Sequence, residues 1–391
     1  MTSKATIVGW SHSPFGKLDV LDIEDLFSMV GNAALEHAGI KASDVNMAAV
    51  GVLNNGFSKQ GFEGGLLSTA IPGMEHVPAV HTENACATGT AALYTAMDFI
   101  ESGRGKIALV IGAEKMTAKP TAEVGDILLC GSYRKEEGHV QGGFAGLFCN
   151  IAAQYFERYG DHSEELAMIA AKNHFNGVSN PIAHVRRDLG FDFCNTVSDK
   201  NPYLNDGPLR RTDCSMVSDG AAAIVLADEE TARTLQRAIG FRARAQKNDM
   251  FPISRRDILA FEGARQAWAQ ALKQAGIAVT DLDLVETHDC FTIAELIEYE
   301  AMGLAKPGEG WKVAREGINR KDGSLPINPS GGLKAKGHPI GATGVSQHVM
   351  ACMQLMNEAG DMQIPNAGLA GVFNMGGAAV ANYVSILERV K

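Results

Sequence analysis

Short apolar runs alternate with amphipathic stretches along this chain. Ala5 to Gly9, Met47 to Val52 and Lys106 to Ile111 are brief apolar segments of strand length. Asp22 to Ala38 places its apolar residues at helical spacing, and Gly39 reads as its stop. Ala91 to Ile100 reads as a second helix, closed by Ser102 and Gly103. Such alternation predicts layered α/β structure, with helices covering a sheet.

Residues 118–214 break the rhythm. They carry charge runs (Arg134 to Glu137, Arg186 to Asp188), two helical stretches (Phe144 to Tyr159, Ser163 to His174) and turn signals at Asn180-Pro181 and Asn201-Pro202. The region reads as an excursion inserted into a first domain, and Ala221 to Ala227 as the strand that returns to the sheet. Past about residue 245 the alternation restarts. Helices are expected over Asp257 to Ala275, Ala294 to Met302 and Val345 to Asn357. Leu284 to Glu286 reads as a strand, and Leu369 to Leu387 as two more. The expected domains are therefore 1–245, including the insertion at 118–214, and 246–391. Gly61 to Gly65 reads only as a glycine-containing turn.

A short internal echo points to duplication. SDGAAAIVLAD ends one unit and NMGGAAVANYVSIL ends another. NACATGTAALYTAM runs from a cysteine loop into a helix, and GHPIGATGVSQHVM from a histidine loop into a helix. Two copies of one α/β unit, each presenting a reactive loop at a helix N-terminus, explain the match.

Composition narrows the functional classes. With 391 residues the chain can bury two sizeable cores. A formal charge of -10 argues against a nucleic-acid surface, which needs dense positive charge. It leaves room for an anionic ligand held by a few cations or helix N-termini. Seven cysteines, an odd number without short paired spacings, argue against a disulfide framework and fit a reducing, cytoplasmic setting. The N-terminal residues do not read as a signal peptide, the last residues carry no peroxisomal address, and no stretch has the length and apolarity of an integral membrane segment.

Three loops carry the candidate chemistry. Cys86, in HTENACATGTAAL, stands just before a helix, where the positive end of the backbone dipole is expected to favour its thiolate. A buried, inert thiol is the alternative there. His338, at the tip of the glycine-rich GGLKAKGHPIGATG, is a candidate base for a thiol. Gly332 and Lys334 of that loop are candidates to hold an anionic ligand. A structural histidine bonded to loop backbone is the competing interpretation of His338. THDCF places His288, Asp289 and Cys290 at the end of a strand, where reactive groups of α/β proteins collect. The spacing lacks the clustered partners of a zinc site, so no metal is expected. His139, ahead of Gln141-Gly142-Gly143, is a further candidate for ligand contact. No G-x-S-x-G elbow and no G-x-G-x-x-G fingerprint after an early strand stand out.

Taken together, NACATG, HDCF and GGLKAKGHPIGATG resemble the thiolase family across nearly the whole chain, most closely its sterol-carrier-protein type, here without a fused lipid-transfer domain. The resemblance implies a five-layered α-β-α-β-α duplicated fold with an inserted loop domain. It implies cleavage of 3-oxoacyl-CoA by coenzyme A, or the reverse Claisen condensation, through an acyl-cysteine. Coenzyme A is then a substrate, with no permanently bound cofactor. By the same resemblance Cys86 is the nucleophile, His338 activates it, Cys290 is the second catalytic cysteine, and His288 holds the thioester oxygen. Backbone N–H groups of Cys86 and Gly376 form another oxyanion site. A homodimer is implied, with a tetramer or a hetero-complex as alternatives. FNMGG departs from most thiolases, because Asn374 stands where they carry their second cysteine; Cys290 takes up that part. Acyl transfer to another carbon acceptor within a complex is the alternative activity, and a non-catalytic acyl-CoA-binding protein the alternative class.

Overall fold

The computed structural model describes residues 5–19, 21–205 and 207–391, so the first four residues of the expected first domain lie outside it. The chain begins with β1 (Ala5–His12), α1 (Ile23–Ala38), β2 (Met47–Gly51), α2 (Glu63–Ala70), β3 (Ala79–Thr82), α3 (Thr88–Glu101) and β4 (Ile107–Glu114). Between β4 and the returning strand lie α4 (Thr121–Leu128), α5 (Gly143–Tyr159) and α6 (Ser163–Val178). Then come β5 (Gly220–Asp228), β6 (Ile239–Asn248), α7 (Glu262–Ala275), β7 (Leu284–Glu286) and α8 (Thr292–Ala301). The chain closes with α9 (Gly332–Lys336), α10 (Ile340–Leu355), β8 (Leu369–Gly376) and β9 (Ala381–Arg389).

Local chemistry sets the helix ends. Asp22 accepts from Asp25 N–H at 3.0 Å while Asp25 accepts from Asp22 N–H at 3.0 Å, a capping box that starts α1. Gly39, at φ 70°, ends it in the left-handed conformation glycine tolerates. The expected helix from Asp257 starts later, at Glu262. Asp257 instead caps a separate short turn, and Phe261 at φ 40° breaks helical continuity. In the other direction, α10 starts at Ile340, ahead of the expected Val345. Pro339 stands immediately before it, and the fixed φ of a proline ring suits a helix entrance. Gly344 keeps α10 close to its neighbours: a Cβ there would meet Thr90 Oγ1 at 2.3 Å and Asn374 Oδ1 at 2.4 Å. The segment read as a turn near Gly61 to Gly65 runs into α2.

The nine strands lie in the order β3-β2-β4-β5-β1-β6-β9-β8-β7. In the first half β2 is parallel to β3 and β4, then β4–β5 and β5–β1 are antiparallel. The second half repeats this, with β7 parallel to β8 and then β8–β9 and β9–β6 antiparallel. The halves join edge to edge at Thr6↔Gly240 and Ile7↔Ile239. Alternation along β5 shows the layering. Ala221, Ala223 and Val225 pack with Leu26, Phe27 and Val30 of α1, while Ala222, Ile224 and Leu226 pack with α3 and α10. Ala370 and Val372 of β8 face that same central pair, and Phe373 and Met375 face Trp268 of α7 and Ile293 and Ile297 of α8. The layers are thus helices, half-sheet, the α3/α10 pair, half-sheet, helices: the five-layered α-β-α-β-α duplicated fold. Full burial of one such Leu, Ile or Phe stabilises the fold by about 1.5–3 kcal/mol.

The 245/246 division expected from sequence cuts β6, which pairs with β9 from Ile239↔Arg389 onward. We propose the division just before Ile239, where the chain crosses between half-sheets. Among the described residues no helix is long and apolar enough to cross a membrane.

Candidate active site

The cysteine loop is a tight turn between β3 and α3. Ala87 N–H and Thr88 N–H donate to Asn84 O and Ala85 O, each at 3.1 Å. Ala85 sits at φ 50°, a conformation costly for a side chain with Cβ and held here by its surroundings. Asn84 Nδ2 donates to Tyr383 OH at 2.7 Å, tying the loop to β9. The turn presents Cys86 at its tip, 6% exposed.

Two imidazoles converge on it. His338 comes from the short link between α9 and α10, and His288 from the residues following β7. Cys86 Sγ and a ring nitrogen of each histidine all lie within 4.8 Å of one another. The rings meet edge to face, with centroids 5.0 Å apart. Their hydrogen bonds assign the protons. Thr343 Oγ1 donates to Pro339 O at 2.9 Å, so at 2.7 Å it accepts from His338 Nδ1–H. That leaves His338 Nε2 as a bare lone pair, buried and without a partner. Asn374 orients the opposite way. Its Oδ1 accepts from Thr90 at 2.8 Å, and its Nδ2 donates to Cys86 O at 3.0 Å and to His288 Nδ1 at 2.9 Å. His288 therefore carries its proton on Nε2, also unpartnered. One histidine offers a base and the other a donor.

The proton on His288 also decides against a metal in this cluster. A metal-ligating histidine uses one ring nitrogen as a lone pair and donates from the other. Here Nδ1 accepts from Asn374, so Nε2 holds the proton and is closed as a ligand. The donor set does not fit a metal ion.

Burial governs the thiol. It pushes Cys86 up to about 12; the neighbouring Cys130 adds to this and a hydrogen bond from Gly377 N–H opposes it. Burial thus opposes the thiolate expected at the head of α3 and favours the neutral thiol. Burial, with help from the Lys336 ammonium, lowers His338 to about 3. Burial first, then His338 and Lys336, holds His288 well below the usual imidazole range. The resting pair is a neutral thiol and a neutral imidazole, so the proton moves as the sulfur attacks.

Cys86 and His338 open onto a cavity of about 170 Å³ that Cys290 also lines. Cys290 N–H donates to His288 O at 2.9 Å, and Cys290 O accepts from Ser215 N–H at 2.9 Å. Burial raises its thiol well above the ordinary range, which suits a proton donor. Asp289, pointing away from the cavity, accepts from Leu333 N–H at 2.7 Å, Lys334 N–H at 3.1 Å and Asn173 Nδ2 at 2.8 Å, fastening the cysteine-bearing segment to the histidine loop.

The proposed ligand contacts fare differently. Lys334 is buried and its Nζ donates to Cys214 O. Gly332 is buried at φ 59°, and a Cβ there would meet Asp289 Oδ2 at 2.3 Å. Both residues shape the loop around Asp289, and neither lines the cavity. His139 is exposed in the turn after residues 134–137, also away from the cavity lining. The N–H that reaches the Cys86 sulfur belongs to Gly377, one residue beyond Gly376. Gly376 lets β8 pass the cysteine loop, since a Cβ there would meet Asn84 O at 2.3 Å. Sequence reasoning missed Thr343, although it lies within the histidine motif, and Glu114. The latter carboxylate holds Leu53 N–H, Asn54 N–H and Gly341 N–H at 2.8–3.0 Å, and burial raises it to about 7.

Fold and site together define a duplicated α/β enzyme built around a cysteine and two histidines. The chain belongs to the thiolase family. Residues 5–188 match the family described as "Thiolase, N-terminal domain", and residues 245–389 match "Thiolase C-terminal domain-like". An acetyl-CoA acetyltransferase from Methanothermobacter thermautotrophicus is 34% identical over 391 residues, covering 98% of this chain and 99% of its own. Sterol carrier protein 2 from Bos taurus is 32% identical, covering 97% of this chain and 72% of its own. Among solved structures, the Ltp2-ChsH2(DUF35) aldolase superposes with a TM-score of 0.83 at 19% identity, over 99% of this chain and 98% of its own, which shows the shared fold alone.

Proposed function

We propose that the protein is a 3-oxoacyl-CoA thiolase, working through an acyl group on Cys86. The observation that carries this is the convergence of the Cys86 sulfur and a ring nitrogen each of His338 and His288 within 4.8 Å, beside a cavity that Cys290 shares, with His338 Nε2 left as a bare lone pair and His288 Nε2 as the protonated nitrogen. Cys86 passes its proton to His338 Nε2 as Sγ attacks the 3-oxo carbon. The bond between C2 and C3 breaks, its electrons form the thioester enolate, and Cys290 protonates C2. Acetyl-CoA, when the substrate is unbranched, leaves. Coenzyme A then gives its thiol proton to the Cys290 thiolate and attacks the acyl carbon. Sγ departs and recovers its proton from His338. His288 Nε2–H and backbone N–H groups of the cysteine loop supply donors for the negative oxygen that develops. Two successive steps through one covalent intermediate give ping-pong kinetics.

The sterol-carrier-protein type is the subtype we propose, supported by Cys290 in HDCF and by Asn374 in the C-terminal loop. We further propose a homodimer; β3 lies at one end of the sheet with Val80 41% exposed, a free edge able to pair. Incubation with acetoacetyl-CoA and coenzyme A tests the activity. Loss of the enolate absorbance with release of acetyl-CoA is expected, and its absence across a series of 3-oxoacyl-CoAs would reject the proposal.

A further inference from the structure

The cavity beside Cys86 has one wall made by a single face of α4. Thr121, Val124, Gly125 and Leu128 line it, the spacing of a helical stripe. Val124 belongs to the apolar cluster that contains Cys86 itself, with Leu53, Met116 and Ile340, and Leu128 packs against that cluster. Gly125 stands in the middle of this face. Unlike the strained or crowded glycines elsewhere in the site, it has no positive φ, and a Cβ there would meet nothing within 4 Å. Neither backbone conformation nor close packing requires glycine at this position. What its missing side chain leaves is room.

Resting on the thiolase proposal, we propose that the acyl group carried by Cys86 is a hydrocarbon chain of medium length, laid along this face of α4, with Gly125 setting how long it can be. A space of about 170 Å³ beside the sulfur exceeds what an acetyl group fills. Apolar cavities of roughly 150 Å³ take up a molecule the size of benzene, so an acyl chain of about six carbons is the matching occupant. The chemistry of the wall separates this from the pantetheine arm of coenzyme A. Pantetheine carries two amides, which lose hydrogen bonds when buried against Val124, Leu128, Met116 and Ile340. A hydrocarbon gains from the same contact. Thr121, the exposed residue of the stripe, marks its outer end.

The test compares kcat/KM for 3-oxobutanoyl-, 3-oxohexanoyl- and 3-oxooctanoyl-CoA, which place acetyl, butanoyl and hexanoyl groups on Cys86. Each added methylene buried is worth about fourfold, so the six-carbon group should be favoured over acetyl by on the order of 100-fold. Gly125→Leu fills the room and should lower the ratio of 3-oxooctanoyl to 3-oxobutanoyl activity at least tenfold. Gly125→Ala, a smaller change that also favours the helix, should lower the same ratio severalfold and serves if the leucine variant does not fold. A wild-type ratio near or below unity, with 3-oxobutanoyl-CoA cleaved, overturns this inference and leaves the thiolase proposal standing. An unchanged ratio in folded Gly125 variants also overturns it. Failure to cleave any of the three overturns the thiolase proposal, and this inference with it.

Discussion

Replacing Thr343 with valine keeps the shape of the side chain and removes the hydroxyl that fixes the proton on His338. In the wild-type site that hydroxyl accepts from Nδ1–H at 2.7 Å and anchors itself on Pro339 O at 2.9 Å. Without it, a proton on Nδ1 is buried and unpaired, which costs about 1–3 kcal/mol. The competing tautomer carries its proton on Nε2, the nitrogen assigned to take the Cys86 proton, and is no base. The base-competent fraction should therefore fall by roughly 5- to 150-fold. Rapid-quench measurement of Cys86 acylation by a 3-oxoacyl-CoA reads this step directly. Thr343→Ser keeps the acceptor and should recover most of the rate, which a purely packing role for Thr343 would not predict. Acylation within twofold of wild type in a folded Thr343→Val variant would refute the tautomer assignment. Equal loss in the serine and valine variants would refute it as well.

Other expectations follow from the same geometry. Cys290→Ala should retain acylation of Cys86 by acetyl-CoA while thiolysis of acetoacetyl-CoA falls by roughly 100-fold or more, within the usual span for a lost acid–base group; steady-state and single-turnover assays on the two substrates check this. Because burial raises Cys86 to about 12, its thiolate fraction is small at neutral pH and grows as pH rises. Iodoacetamide labelling of Cys86 in the free enzyme should thus climb about tenfold per unit from pH 7 to pH 10, and a plateau near pH 8.5 would show an ordinary thiol. Gly332→Ala should destabilise the protein by at least about 1 kcal/mol in urea unfolding, since it combines a left-handed backbone with a clash against Asp289 Oδ2. An unchanged midpoint would show that the loop can shift.

The candidate site residues are legible because each stands in a short motif at the end of an element: Cys86 before α3, His288 and Cys290 after β7, His338 before α10. The duplication was legible for the same reason, since the two loop-into-helix segments repeat in matching places. What periodicity could not give was side-chain direction. Lys334 and Gly332 sit in a loop that resembles an anion cradle, yet Asp289 turns the loop inward and buries both. The state of the thiol was also hidden, because the dipole is visible in local sequence while burial comes from distant segments such as α4 and the histidine loop. The role of Asn374 in orienting His288 depends on contacts across 86 residues of chain, and no local pattern reports it. Boundaries failed where a single backbone conformation intervened, as at Phe261 before α7.

In the proposed reaction Cys86 carries the acyl group and His338 takes its proton. Mixing the enzyme with a 3-oxoacyl-CoA in the absence of free coenzyme A, followed by quenching, intact mass measurement and peptide mapping, reads both steps. One acyl group per chain on Cys86, with one equivalent of acetyl-CoA released, is expected, with none in Cys86→Ala and slowed formation in His338→Ala. Turnover without any adduct on Cys86, or an adduct on another cysteine that persists in Cys86→Ala, would contradict it.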